Sequence, residues 1–203
     1  MATEQTGKPL PADTSPSIAD PAPLGLGAFA MTTMVLSVFN ANILDAKLQA
    51  VVLPLALAYG GGAQLLAGMW EFRKGNTFGA TAFSSFGMFW ISFYFLAKDV
   101  IPAIGTSHDF NKALGLYLLG WAIFTAYMTV AAVRVSGAVL AVFVFLTATF
   151  AVLSAGAFAN SDGVTHVGGW LGLVTAALAW YASFAGVVAF THKKPLLPTW
   201  PAR

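Results

Sequence analysis

The 203-residue chain contains no cysteine, and charged side chains make up only 9% of it. The first absence excludes disulfides, thiolate nucleophiles and sulfur-ligated metals. The second excludes an ordinary water-facing surface, because a soluble domain carries about 25% charged residues. No Lys, Arg, Asp or Glu stands near the middle of any long apolar run; Glu71 and Arg134 fall at run ends, where charges anchor a helix at the membrane surface. That removes an arginine ladder, a mid-membrane Schiff-base lysine and a buried carboxylate relay. His108, His166 and His192 lie at or beyond the ends of the runs, so no pair is placed to hold a haem or metal between helices. No nucleophile–base constellation is visible either, so neither an enzyme nor a cofactor or metal is expected. A net charge of +2 without a basic, aromatic-interleaved patch gives no reason to expect a nucleic-acid partner.

What the chain does contain is apolar sequence, 58% of all residues. It divides into six runs, at residues 24–44, 49–70, 77–97, 113–134, 137–157 and 166–190. Crossing a hydrocarbon core takes about 20 helical residues, and each run is long enough. The runs are twice the length of a barrel strand and do not alternate polar with apolar, so they read as helices. The expected fold class is therefore all-α: a polytopic membrane protein with six transmembrane helices. Seven of the ten basic residues fall on the side that carries both ends of the chain. That bias places the N- and C-termini in the cytoplasm of a cell (inner or plasma) membrane. Residues 1–20 read as a flexible polar tail without signal-peptide character, 21–190 as the transmembrane domain, and 191–203 as a short basic tail. Connections are short except for the external stretch "KDVIPAIGTSHDFNK". Small residues followed by Phe or Leu recur in "GLGAFAMTT", "GATAFSSFG" and "AVFVFLTAT", compatible with three two-helix units starting near Leu24, Thr77 and Gly137.

With no buried charge, polarity along a membrane pathway must come from backbone, amide and hydroxyl groups. Pro21, Ala22, Pro23, Leu24, Gly25 and Leu26 admit two readings. Proline and glycine can leave unwound backbone and free amides facing a wet cavity, suited to an anion. Alternatively the prolines simply start a helix, where proline is favoured. Gln64 is an uncharged polar group in mid-span, and Asn76 and Thr77 follow the next turn. These three are hydrogen-bonding wall groups in one reading, and helix–helix glue and caps in the other. In the last run Gly169, Gly172, Ala176 and Ala179 form a small-residue stripe, suited to close packing or to widening a passage beside it.

"DPAPLGLGAF" resembles the N-P-A-P-L-G-L signature of the acetate uptake transporters, the succinate–acetate permease family. The similarity continues through "MTTMVLSVFNA", "YGGGAQLLAGMWEFRKGNTFGATAFSSFGMFW", "LGLYLLGWAIFT" and "HVGGWLGL", and so covers all six spans. It implies a carrier or channel for acetate, succinate or other short carboxylates, assembled as a homohexamer in the bilayer with one pathway per protomer. It also implies a hydrophobic constriction at Phe29, Phe86 and Leu146, and a pore-lining size filter at Ala179. Two departures are visible: Asp20 stands where the family has Asn, and Phe86 where Tyr is common. An ionised Asp20 at the mouth would repel an anion. Proton-coupled and channel-like passage both remain open, as do a channel for urea or ammonia and a non-transporting carboxylate sensor.

Overall fold

The structure, a computed structural model, describes residues 18–202; the expected tail at 1–20 therefore lies almost wholly outside the described residues. Six helices long and apolar enough to cross a membrane run Ala22–Asn40 (α1), Ala46–Lys74 (α2), Thr77–Ile104 (α3), Phe110–Ala132 (α4), Gly137–Ala159 (α5) and Asp162–Thr191 (α6). The even number brings both ends of the described chain to one side, the terminal face. The α1–α2, α3–α4 and α5–α6 connections lie at the opposite loop face.

Local chemistry sets the helix ends. Asn76, Ser136 and Ser161 each accept a backbone N–H from three residues on, at 3.1, 3.2 and 3.4 Å, which satisfies a donor the helix start cannot. Gly75, at φ +79°, stops α2 in the left-handed conformation that glycine takes without strain. Two stretches expected as connections are instead helical. Asp45 accepts from Lys47 N–H at 2.9 Å and starts a 3₁₀ turn over Ala46–Val52. Beyond Phe95 a π-helical turn, Leu96–Val100, leads into Ile101–Ile104. Pro102 follows directly after that π-helical turn, in the last stretch of α3.

The helices form a ring in which α1 packs on α6 and α2, α5 lies between α4 and α6, and α3 lies on α2. The small-residue stripe is the α6 side of that α1 contact. A Cβ on Gly169 would meet the Asn40–Ala41 backbone, and one on Gly172 would meet Ser37. The three expected helix pairs are not alike. The middle pair is splayed, because α3 and α4 meet through large rings: Phe86 with Trp121 and Phe124, Phe89 with Tyr117 and Trp121. Centroid separations of 5.1 to 6.2 Å hold the two backbones apart there.

The chain after α6 folds back across the terminal face. Gly137 N–H donates to the Trp200 carbonyl at 2.7 Å and Ala138 N–H to that of Thr199 at 3.2 Å. Tyr181 Oη donates to the Pro198 carbonyl at 2.7 Å. This strap satisfies free amides at the start of α5.

Candidate functional site

The odd-numbered helices α1, α3 and α5 bring their large apolar side chains together in the middle of the ring. Phe29, Phe86 and Leu146 are all buried there, at 4%, 3% and 3% exposure. The Phe86 ring lies 5.9 Å from Phe29, 5.3 Å from Phe124, 6.0 Å from Phe143 and 6.5 Å from Phe150. No hydroxyl or charge belongs to this ring cluster.

On the loop-face side of the cluster lies a cavity of about 310 Å3. Its floor includes Phe29 and Leu146; Leu36, Phe89 and Phe150 add to an apolar wall. Its polar groups are amides and hydroxyls, among them Ser37, Asn40, Gln49, Asn111, Thr149 and Asn160. Near the rim, Gln49 Nε2 donates to Asn40 Oδ1 at 3.4 Å, and Asn111 Nδ2 to Asn160 Oδ1 at 2.7 Å. Asp162 is the one charged residue in the lining, and no cation is there. Such a vestibule holds a polar solute by directional bonds rather than by charge attraction.

A second cavity, about 220 Å3, lies on the terminal-face side. Ala22, Pro23 and Leu26 of α1, Ala182 and Ala185 of α6, and Pro195, Leu197 and Thr199 of the strap line it. Leu26 and Phe29 are three residues apart on α1, about 4.5 Å along the axis at 1.5 Å per residue. The seal between the cavities is thus about one helical turn thick. Ala179 is fully buried in the same core, between Thr175, which bonds Thr149, and Ala182.

Several expectations are corrected. The proline–glycine stretch is not unwound: Ala22–Asn40 is continuous helix, with Pro21 as its N-cap and proline in its first turn. Gly25 N–H bonds the Pro21 carbonyl at 3.1 Å, and Asp20 Oδ1 accepts from Ala22 N–H at 3.1 Å. Little free amide is left. The glycine has a packing reason, since a Cβ on Gly25 would lie 2.6 to 2.8 Å from the Phe83 ring. The stretch also divides by face. Ala22, Pro23 and Leu26 line the inner cavity, whereas Leu24 is exposed and Pro21 lies outside the lining. Asp20 does not stand as a lone charge, because Lys74 pairs with it at 2.8 Å.

The polar wall groups do not converge. Gln64 is buried, with Oε1 unpartnered, but lines neither cavity. Asn76 caps α3, and Thr77 is exposed at the terminal face. Glu71, expected to anchor at the surface, is fully buried against Gly79, where a Cβ would lie 2.8 Å from its carboxyl carbon. The tight α2–α3 turn folds it in, as Asn76 N–H donates to the Glu71 carbonyl at 3.0 Å. Sequence reading also missed the amides and hydroxyls of the outer vestibule. One signal was available: Phe29, Thr33, Ser37 and Asn40 follow the spacing of a single helix face.

Two cavities thus approach from opposite faces onto a thin apolar seal, in a bundle of six membrane-length helices. The chain belongs to the GPR1/FUN34/yaaH family, which it matches over residues 3–201. It is 45% identical over 176 residues to the Ammonia transport outward protein 2 of Saccharomyces cerevisiae, covering 83% of this chain and 61% of that one. It is 37% identical over 182 residues to the Succinate-acetate/proton symporter SatP of Escherichia coli K12, covering 89% and 95%. The solved structure of the bacterial acetate channel SatP superposes with a TM-score of 0.83 at 36% identity, covering 90% of this chain and 99% of that one. The chain spans 61 to 66% of the length of three fungal relatives that it matches. Six apolar helices and relatives that are transporters and channels make this a multi-pass membrane protein.

Proposed function

We propose that the chain conducts acetate, and with it succinate and other short carboxylates, across a cell membrane. The observation that carries this is the seal: two cavities separated by about one turn of α1, closed by Phe29, Phe86 and Leu146 with no charged group in the neck. Ala179 sets its width from α6. The likeness to SatP supports the substrate class. The α1 residues Ala22, Pro23 and Leu26 form the inner approach, so the binding role of Pro21–Leu26 narrows to that face. Both termini lie in the cytoplasm, residues 21–190 form the conducting domain, and protomers assemble as a hexamer with one pathway each. No enzymatic step is proposed.

A bare carboxylate in a dry neck costs several kcal/mol even after relaxation. Protonating it at pH 7 costs about 3–4 kcal/mol, for a carboxylate pKa near 4.3 and 1.36 kcal/mol per unit. The two routes are of similar height, so neutral acid and partly hydrated anion are both feasible passengers. Uptake of radiolabelled acetate into proteoliposomes, with and without an imposed pH gradient, tests the reading. Uptake above that of empty liposomes is expected, and dependence on the gradient identifies the proton-coupled route. Uptake equal to empty liposomes, with ammonia or urea passing instead, would overturn the assignment.

A further inference from the structure

The walls of the inner cavity are not held equally firmly. Three of them are α1, the start of α5 and α6, continuous helices of which α6 packs on both the others. The fourth is the strap, whose Pro195, Leu197 and Thr199 line the cavity. Its hydrogen bonds lie at its far end. There the carbonyls of Pro198, Thr199 and Trp200 accept from Tyr181, Ala138 and Gly137, and Ala202 N–H donates to the Val135 carbonyl at 3.3 Å. Among the described residues, no hydrogen bond or ion pair holds 194–197, the part that covers the cavity.

The backbone of the strap adds a second observation. Lys193 and Trp200 take the left-handed conformation without being glycine, at φ +55° and +49°. Lys193 turns the chain back where α6 ends, an element-terminal position of the kind that serves as a hinge. Trp200 stands among the bonds of the far end. That conformation is rare for a bulky residue and persists where its surroundings hold it. Between the two, Pro195 and Pro198 fix φ and stiffen the chain. The strap is therefore a hinge, a stiff bar and a strained latch. Across the cavity α6 presents only small residues, Ala182, Ala185, Gly186 and Ala189, so about 220 Å3 stays open beside the bar.

We infer that residues 192–202 are the inner gate of the pathway: the strap pivots at Lys193 and unlatches at Trp200, admitting a short carboxylate between the terminal face and the inner cavity. This goes beyond the transport reading and rests on it. In the closed position the strap bonds the first amides of α5. On release those amides turn to water at the terminal face, so opening leaves no buried donor unpaired. Relief of the backbone at Trp200 offsets the lost bonds, and both positions are visited.

The chain has no cysteine, so an introduced pair can be oxidised without competing thiols. Ser136 and Pro201 face each other as an antiparallel bridge, flanked by the Gly137–Trp200 and Ala202–Val135 bonds. That is a non-hydrogen-bonded pair, for which Cα atoms stand about 4.5 Å apart, within the reach of a disulfide. In the full chain carrying Ser136→Cys and Pro201→Cys, forming the disulfide should lower acetate uptake into proteoliposomes at least about tenfold, because uptake scales with the open fraction that the bond removes. Reductant should restore uptake, and neither single variant should respond. A second readout needs no flux. Ala185→Cys, added to the pair, places a thiol in the cavity. In detergent micelles a charged maleimide should label it more slowly once the disulfide has formed. In a chain with Ala185→Cys alone, Tyr181→Phe removes one tie and should quicken labelling. A formed disulfide with unchanged uptake would overturn the gate and leave the transport reading standing. Wild-type uptake equal to that of empty liposomes, with labelling that slows when the disulfide forms, would overturn transport and leave the strap as a moving cover of the cavity. If the cysteine pair does not fold, Tyr181→Phe decides, and an unchanged labelling rate there would overturn the gate.

Discussion

Replacing Leu146 by alanine removes one wall of the seal without touching a polar group, and should relax discrimination by chain length more than it changes acetate handling. Leu146 lines the floor of the outer cavity and is 3% exposed, in the same cluster as Phe29 and Phe86. In a neck this close-packed, each methylene beyond the fitted size costs about 1–3 kcal/mol of transition-state free energy, or roughly 10–200-fold in rate. Butyrate carries two methylenes more than acetate, so the wild type should prefer acetate by at least about a hundredfold. Leu146→Ala opens room for them, and the ratio should fall by at least about tenfold. The assay is uptake of radiolabelled acetate and butyrate into proteoliposomes over matched concentrations. Truncating a packed leucine also costs about 2–5 kcal/mol of stability in soluble proteins, so gel filtration and a thermal melt must accompany it. A folded, active Leu146→Ala protein with an unchanged acetate-to-butyrate ratio would refute the claim that this ring cluster sets the width of the path.

Three other outcomes follow from particular contacts. Gly25→Ala should destabilise by about 1–3 kcal/mol, because its methyl would meet the Phe83 ring; Gly120→Ala, which meets nothing within 4 Å, should be neutral or slightly stabilising, and thermal melts of the pair check both. Asp20→Asn breaks a half-exposed pair with Lys74 and should change stability by less than about 1 kcal/mol; a loss several times larger would mean the pair holds α1 against the α2 terminus. Tyr181→Phe removes the 2.7 Å bond to the Pro198 carbonyl, and hydrogen exchange at the Gly137 and Ala138 amides should quicken as the strap loosens, with unchanged exchange counting against the strap as what protects the start of α5.

How much of this was legible in the sequence depends on the length scale of each feature. Helix number follows from composition over windows of about 20 residues, and the six spans bear it out. Helix starts at Asn76 and Ser136 are equally local, since a side chain and an amide three residues on decide them. The proline–glycine stretch misled because glycine has two uses. Its freedom to unwind is visible in sequence; the close approach of Phe83 to Gly25, which is its use here, joins residues 58 apart and is not. The same holds for the burial of Glu71 and for the helical run through Pro102, which depend on a tight turn and a π-helical shift rather than on residue type.

The sequence by itself determined that this chain lives in a membrane as six helices, because the length and apolarity of a span are sums over many residues. Tertiary structure alone decided where the path narrows and what lines it. Phe29, Phe86 and Leu146 come from three separate helices, and only packing can say that they meet, that a cavity stands on either side, and that Thr33 Oγ1 and Trp90 Nε1 are buried without a partner.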